Sequence, residues 1–313
     1  LLFVNIVLGG MVRIRKGWSM AGILITHVGI AMLLVSGFVK LYYSQDGHVT
    51  LYEGERTDVY QSYYDWEVAI TEELPDGSAR EHVVPQEDFL HTQGGGAVTL
   101  RSEALPFALE LAHFMPNASP LPKGPMFEVD VPVVDGFFLR DRPKEVEAER
   151  NVAGLYAAAV TPDGQRQEGI LFGLTSAPWT VQTAEGRYAV ELRKQRYPMP
   201  FTVVLDDFTK EDHPGVNMPK AFMSDVTVIE DGSIRPVRIE MNQPLRDGGL
   251  VLYQAYWGPS NAAPGTPLFS TLSVVQNPAD QWPLYSCIVI ALGLVLHFSR
   301  KLGRYVRVEA RKA

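Results

Sequence analysis

The sequence predicts a membrane-anchored all-β protein, in which transmembrane helices flank a large extracytoplasmic β-rich domain of sandwich or barrel type. Three observations predict it. Two apolar runs lie towards the ends of the 313-residue chain, each bordered by a basic cluster; the segment between them alternates polar and apolar residues between turn signals; and that segment holds all but one of the 36 acidic residues.

Residues 1–12, LLFVNIVLGGMV, are apolar. At about 1.5 Å per residue they reach only about 18 Å, so they read as the end of a truncated transmembrane helix. A basic cytoplasmic loop follows at 13–17, carrying Arg13, Arg15 and Lys16. Residues 18–43 contain MAGILITHVGIAMLLVSGFV (20–39), which spans about 30 Å, the hydrocarbon thickness of a bilayer. Trp18 at one end and Tyr42 and Tyr43 at the other mark its interfaces. Residues 281–299 hold a second run, WPLYSCIVIALGLVLHF, short for a span but followed at once by the basic tail 300–313. Both basic clusters face the cytoplasm by the positive-inside rule, which places residues 44–280 on the other side, periplasmic in a cell with an inner membrane.

Residues 1–43 hold four basic and no acidic groups, and 281–313 hold six basic and one acidic, so the β-rich segment carries −17 of a chain total of −8. A domain of that charge is soluble and a poor ligand for nucleic acid or anionic lipid. The sole cysteine, Cys287, lies in the last apolar run, which leaves the outer domain without disulfides or thiol chemistry.

Short alternating runs such as VTLYEGE, PFALELAHF, YAVELRKQRY and GLVLYQAYWG read as strands. Asp-Gly pairs at Asp46, Asp76, Asp135, Asp163, Asp231 and Asp247 read as turns between them. Ala97–Phe114 and Ala189–Phe208 share a strand, a basic residue, a Pro-Phe and a closing Phe. Two similar β-lobes are one reading of that echo, and edge strands that happen to begin with proline are the other. The Pro- and Gly-rich stretch at 115–136 reads as an irregular loop or lobe connector.

Enzyme signatures are sparse. His48, His82, His91, His113 and His213 show no metal spacing and read as surface or structural residues. GGGA at Gly94 lacks the lysine and helix of a phosphate loop, no G-x-S-x-G occurs, and Asp206 with Asp207 reads as a solvated strand end. The exception is His27, an ionisable ring about ten residues into an apolar helix. Such a residue is a functional-site hypothesis by default, because its burial in lipid is costly and neutral imidazole ligates metals and haem iron. A hydrogen bond to a neighbouring helix is the competing reading. Gly22, Gly29 and Ala31 leave room beside it for another helix or a flat macrocycle. His297, beside Arg300, reads as an interfacial residue.

LITHVGIAMLLVSGFV leading into DGHVTLYEGE, MPFTVVLDDF with MPKAFMSDVTV, MNQPLRDGGLVLYQAYWG, and the closing SVVQNPADQWPLYSCIVIALGLVLHFSR together resemble a ResB/CcsB-type cytochrome c biogenesis protein. The resemblance implies a few N-terminal helices, a large outer β-rich domain and a final helix in the cell membrane. It implies a subunit that helps to bind haem b transiently and deliver it across the membrane for covalent attachment to apocytochrome c, together with a CcsA/ResC-type membrane protein. His27 is then an axial ligand of the haem iron. On this reading the chain is not an enzyme on its own but part of a cytochrome c synthetase complex, and the tryptophan-rich haem-handling segment belongs to the partner. A haem b electron-transfer subunit and a non-catalytic membrane-anchored scaffold are the alternatives.

Overall fold

Small residues decide how the two long helices meet, and large apolar ones decide what surrounds them. The computed structural model describes residues 1–14, 17–74, 76–125, 128–215, 219–259 and 266–312. Arg15 and Lys16 of the basic loop, Met126 and Phe127 of the Pro- and Gly-rich stretch, and Met218 of MPKAF lie outside the described residues. The chain divides into two units: Leu1–Gln45, Arg246–Leu252 and Val275–Ala313 in one, Asp46–Leu245 and Tyr253–Val274 in the other.

In the helical unit, Leu2–Val12 is helical, wound as a π-helix over Ile6–Val12. The first long helix is Ala21–Tyr43, entered through a 3₁₀ turn at Trp18–Met20, and the last helix is Trp282–Glu309. Both are long and apolar enough to cross a membrane. The last helix runs well beyond residue 299, because RKLGRYVRVE is built mainly of residues that lose little freedom in a helix. The two pack antiparallel at glycines. A Cβ on Gly22 would lie 2.7 Å from the carbonyl oxygen of Gly293, one on Gly29 2.9 Å from the amide nitrogen of Ile290, and one on Gly293 2.6 Å from the amide nitrogen of Thr26. Only glycine lets these backbones approach so closely. Thr26, Ser36 and Ser286 return their hydroxyls to carbonyls of their own helix, those of Gly22, Leu33 and Trp282, at 3.0, 2.7 and 2.7 Å. Leu33, Phe38 and Leu41 on one helix and Ile288, Leu292 and Val295 on the other are exposed. Small residues inside and large apolar ones outside invert the pattern of a soluble core helix.

The β-rich unit is built from β1 (Gln45–Tyr52), β2 (Arg56–Glu73), β3 (Ala79–Pro85), β4 (Ala97–Leu100), β5 (Ala108–Met115), β6 (Ala118–Pro122), β7 (Phe137–Asp141) and β8 (Gly154–Val160). Next come β9 (Arg166–Phe172), β10 (Trp179–Gln182), β11 (Arg187–Asp212), β12 (Pro219–Glu230), β13 (Ser233–Glu240), β14 (Leu245–Asp247), β15 (Leu250–Gly258) and β16 (Phe269–Gln276). One sheet runs β13-β12-β11-β2-β1-β16-β15, with β10 beside β11 and β3 beside β2. A second runs β4-β5-β8-β9, and β6 pairs with β7. Val68, Ile70, Tyr188, Val190 and Leu192 of the first sheet share one buried core with Leu109, Leu111, Leu155, Ala157 and Leu171 of the second. The sheets therefore pack face to face, as the alternating pattern predicts.

Four expectations are corrected. Ala97–Phe114 folds as two paired strands, β4 and β5, whereas Ala189–Phe208 lies within the single strand β11, so the echo marks no repeated lobe. Of the prolines of the second copy, Pro198 pairs with Val59 of β2 and Pro200 falls in the register shift that follows, before Val203. Asp46-Gly47 is strand, not turn: a Cβ on Gly47 would lie 2.2 Å from the carbonyl oxygen of Gln61, so this glycine serves close strand approach. Asp231-Gly232 does form the expected tight hairpin, with φ of 46° and 80° between Glu230 and Ser233. Within 115–136, Ala118–Pro122 forms a strand rather than loop, paired in register from Ala118 with Asp141 to Pro122 with Phe137. Asp206 and Asp207 do not end a strand. They sit at a register shift inside β11, where their carboxylates accept bonds from Thr227 and Thr209 at 2.7 and 3.0 Å.

Candidate functional site

His27 sits mid-helix with its two ring nitrogens in different situations. Nδ1 lies 2.8 Å from the carbonyl oxygen of Ile23, one turn back. A carbonyl can only accept, so Nδ1 is the donor, and in the neutral ring Nε2 then carries the lone pair. That is the tautomer a metal-ligating imidazole needs, with its second nitrogen anchored by a backbone oxygen. The ring packs against Gly10 of the N-terminal helical segment: a Cβ there would lie 2.2 Å from Cδ2, 2.8 Å from Cγ and 2.7 Å from Nε2. The near-equal distances to Cγ and Nε2 put that position over the Cδ2 side of the ring, not along the in-plane lone pair. Gly9, the neighbouring residue, would meet nothing within 4 Å with a Cβ added. The imidazole donor and its anchored second nitrogen fit an axial ligand to haem iron, and Gly10 closes one flank of the ring.

Gly22 and Gly29 are used differently from Gly10. They meet the last helix, at His297 and Gly293 and at Ile290 and Ser286, so the room they leave is filled by a helix. Gly10 is the residue at the imidazole, and sequence reasoning did not single it out; its signal was the Gly-Gly pair in an otherwise apolar segment. His297 does not come together with His27. Its backbone lies against Gly22, five residues along the first helix from His27, or about 7.5 Å. His297 instead lines a basic groove with Arg300, which donates to the carbonyl oxygen of Trp18.

The sequence motifs of the β-rich unit form fastenings. In Glu53-Gly54-Glu55, Glu53 accepts the amide of Phe208 at 3.1 Å and Glu55 that of Tyr52 at 2.8 Å. The Gly54 amide donates to Leu205 O at 2.7 Å, and the Leu205 amide to Glu55 O at 3.0 Å. This turn thus satisfies the backbone where β11 shifts register. Gln254 accepts from the Ser224 hydroxyl at 2.6 Å and donates to Ser270 at 3.0 Å, closing a buried network across three strands. In the helical unit, Arg246 of the same motif pairs with Asp280, two residues before the last helix.

A second polar cluster lies where β2 carries extra residues against β11, between the Gln61–Arg196 and Trp66–Lys194 pairs. Ser62 caps the excursion by accepting the amides of Tyr64 and Asp65. Lys194 donates to Tyr63 O at 2.7 Å and stands 4.1 Å above the Trp66 ring. Burial pushes its ammonium down to about 8, against the ordinary 10.5. His48 stacks on Tyr63, its Nδ1 buried and unpartnered, and burial with the nearby Lys194 charge lowers its pKa. Burial and the Asp65 carboxylate, which accepts its hydroxyl, raise that of Tyr197. Beneath lies Glu67, almost fully buried and bonded at 2.8 Å to Arg193, which also grips Glu81 through two nitrogens at 2.6 and 2.8 Å. Burial opposes the Arg193 charge, but its bonds to Glu81 and Glu67 prevail and raise its pKa. Elsewhere, His113 adopts φ of 53° at the β5 register shift, edge-on to Tyr156. His91 closes a short 3₁₀ turn, His82 lies in β3 and His213 is exposed. Among the described residues, no three His, Cys, Asp or Glu side chains converge as a metal site.

A pair of apolar helices joined at glycines, one carrying an imidazole bonded back to its own helix, and a large β-sheet unit between them in the chain define a β-protein with two helices long and apolar enough to cross a membrane. Residues 173–267 match the ResB-like family, and the ResB/CcsB type read from the motifs stands on that match. The matched stretch holds β10 to β15, including Ser224, Gln254 and Arg246, and does not include the helix that carries His27. No curated protein matches the chain.

Proposed function

We propose that this protein is a ResB-like subunit of the cytochrome c maturation machinery, anchored in the cell membrane with its β-rich unit on the extracytoplasmic side. It helps to deliver haem for attachment to apocytochrome c beside a CcsA/ResC-type partner. The ResB-like match supports the pathway. Two helices whose large apolar side chains face outward support the membrane, since a soluble monomer rarely exposes so much contiguous apolar surface.

The observation that carries the haem role is the bond that anchors Nδ1 of His27 to the Ile23 carbonyl and leaves Nε2 as the nitrogen to ligate. Nε2 would hold the iron, the Ile23 carbonyl would keep the ring oriented, and the bare Gly10 backbone would let the ring pack in place. When bound, haem supplies the vinyl groups that become thioether-linked to client cysteines, so the chain needs no nucleophile of its own. A haem b electron-transfer subunit with both ligands in this helix pair is disfavoured, because His297 and His27 lie at different depths.

His27→Ala should lower haem per mole of assembled complex and reduce holocytochrome c, while the chain still inserts. Added imidazole should partly restore both, whereas His297→Ala should change haem content little. Equal haem in parent and His27→Ala would leave the ring a purely structural hydrogen-bonding role. For sidedness, protease added to intact spheroplasts should cut within 44–280, and cleavage only in inverted vesicles would reverse the orientation.

A further inference from the structure

The face of the last helix that meets the first helix changes character where the first helix begins. Gly293 and His297 pack at Gly22; the same stripe, stepping by three and four residues, continues as Arg300, Arg304, Arg307 and Arg311. With Lys301, Ser19 and Met20 these residues line an open groove of about 890 Å³. Among the described residues no carboxylate lines it, and Lys301, Arg304, Arg307 and Arg311 have no acidic partner. The one acid nearby, Glu309, is taken by Lys312. Two apolar residues, Met20 and Val308, line it as well.

We propose that this groove binds the phosphate of an anionic phospholipid in the cytoplasmic leaflet, held by the stripe of Arg300, Arg304, Arg307 and Arg311, with the acyl chains running back toward the apolar part of the helix. Charge complementarity argues for the phosphate, which arginine grips in a planar fork. A lipid rather than free phosphate is argued by where the groove lies, on the basic end of a helix otherwise long and apolar enough to cross a membrane. Position agrees, since the cations begin within one turn of the apolar part of the helix. The proposal uses the membrane placement above but not the haem role, so it survives if His27 proves structural.

The test is retention of phosphatidylglycerol against phosphatidylcholine by the full-length chain in uncharged detergent, read by native mass spectrometry. The parent should hold phosphatidylglycerol in preference. At about fivefold in affinity per cation removed, Arg304→Gln/Arg307→Gln/Arg311→Gln should lose roughly a hundredfold. Removing three exposed charges of the β-rich unit, Arg140→Gln/Arg142→Gln/Lys144→Gln, should change nothing. Raising salt on the parent should release phosphatidylglycerol first, which needs no variant to fold. Equal retention of the two lipids, or an unchanged triple variant, overturns the proposal. Displacement of phosphatidylglycerol by millimolar inorganic phosphate, with phosphate bound equally well without lipid, assigns the groove to a free anion and overturns it too.

Discussion

Gly10→Ala places a methyl group 2.2 Å from Cδ2 of His27 and 2.7 Å from Nε2. Carbon atoms in contact sit about 3.5–4.0 Å apart, so ring or segment must move by more than about 1 Å. The N-terminal segment is backbone at that point and cannot yield as a side chain can, so the imidazole turns, and turning breaks the 2.8 Å bond from Nδ1 to Ile23 O. Loss of such an orienting partner lowers metal affinity about 10- to 100-fold. Gly9→Ala is the matched control, since its Cβ would meet nothing within 4 Å and both substitutions favour helix by about 1 kcal/mol. Haem per mole of assembled complex, measured as the pyridine haemochrome, should fall in Gly10→Ala towards the His27→Ala level and stay parental in Gly9→Ala. Equal haem in the two alanine variants would refute the reasoning that Gly10 exists to admit this ring.

Three further outcomes follow from the same structure. Gly22→Leu, whose Cβ would meet Gly293 O at 2.7 Å, should lower the melting temperature of the detergent-solubilised chain, and Gly37→Leu, which meets nothing, should not; equal melting would deny the glycine seam. Arg193→Met strands the buried Glu67 carboxylate and should destabilise the β-rich unit by about 3–5 kcal/mol in denaturant unfolding, most of it recovered in Arg193→Met/Glu67→Met; a neutral single variant contradicts the pair's role. Lys194 titrates near 8 when folded and near 10.5 when unfolded, so between those values the unfolded chain binds more protons and stability rises with pH, a gain lost as pH falls back through 8. With its ammonium still partly in water the effect is on the order of 1 kcal/mol, and Lys194→Met should flatten the pH dependence of urea midpoints; an unaltered slope places the titration elsewhere.

What the sequence alone determined was whatever local pattern determines. Hydropathy over twenty residues defines an apolar helix, alternation defines a strand, and Asp231-Gly232 defines a hairpin, because each depends on neighbours within a few positions. His27 stood out for the same reason, as one polar ring in an apolar run. Tertiary structure decided everything that depends on residues far apart in the chain. It assigned Gly22 and Gly29 to the helix seam and Gly10 to the imidazole, a distinction of partners that composition does not carry. It turned Asp46-Gly47 from a turn into a strand contact, because Gln61 comes within reach only once β1 and β2 pair. It kept Pro198 and Pro200 within one long strand, the first paired with Val59 of β2 and the second in the register shift that follows, and so dissolved the apparent repeat. The His48–Lys194 cluster was invisible in sequence because its members come from three strands, and their perturbed protonation arises from burial that exists only after those strands have assembled.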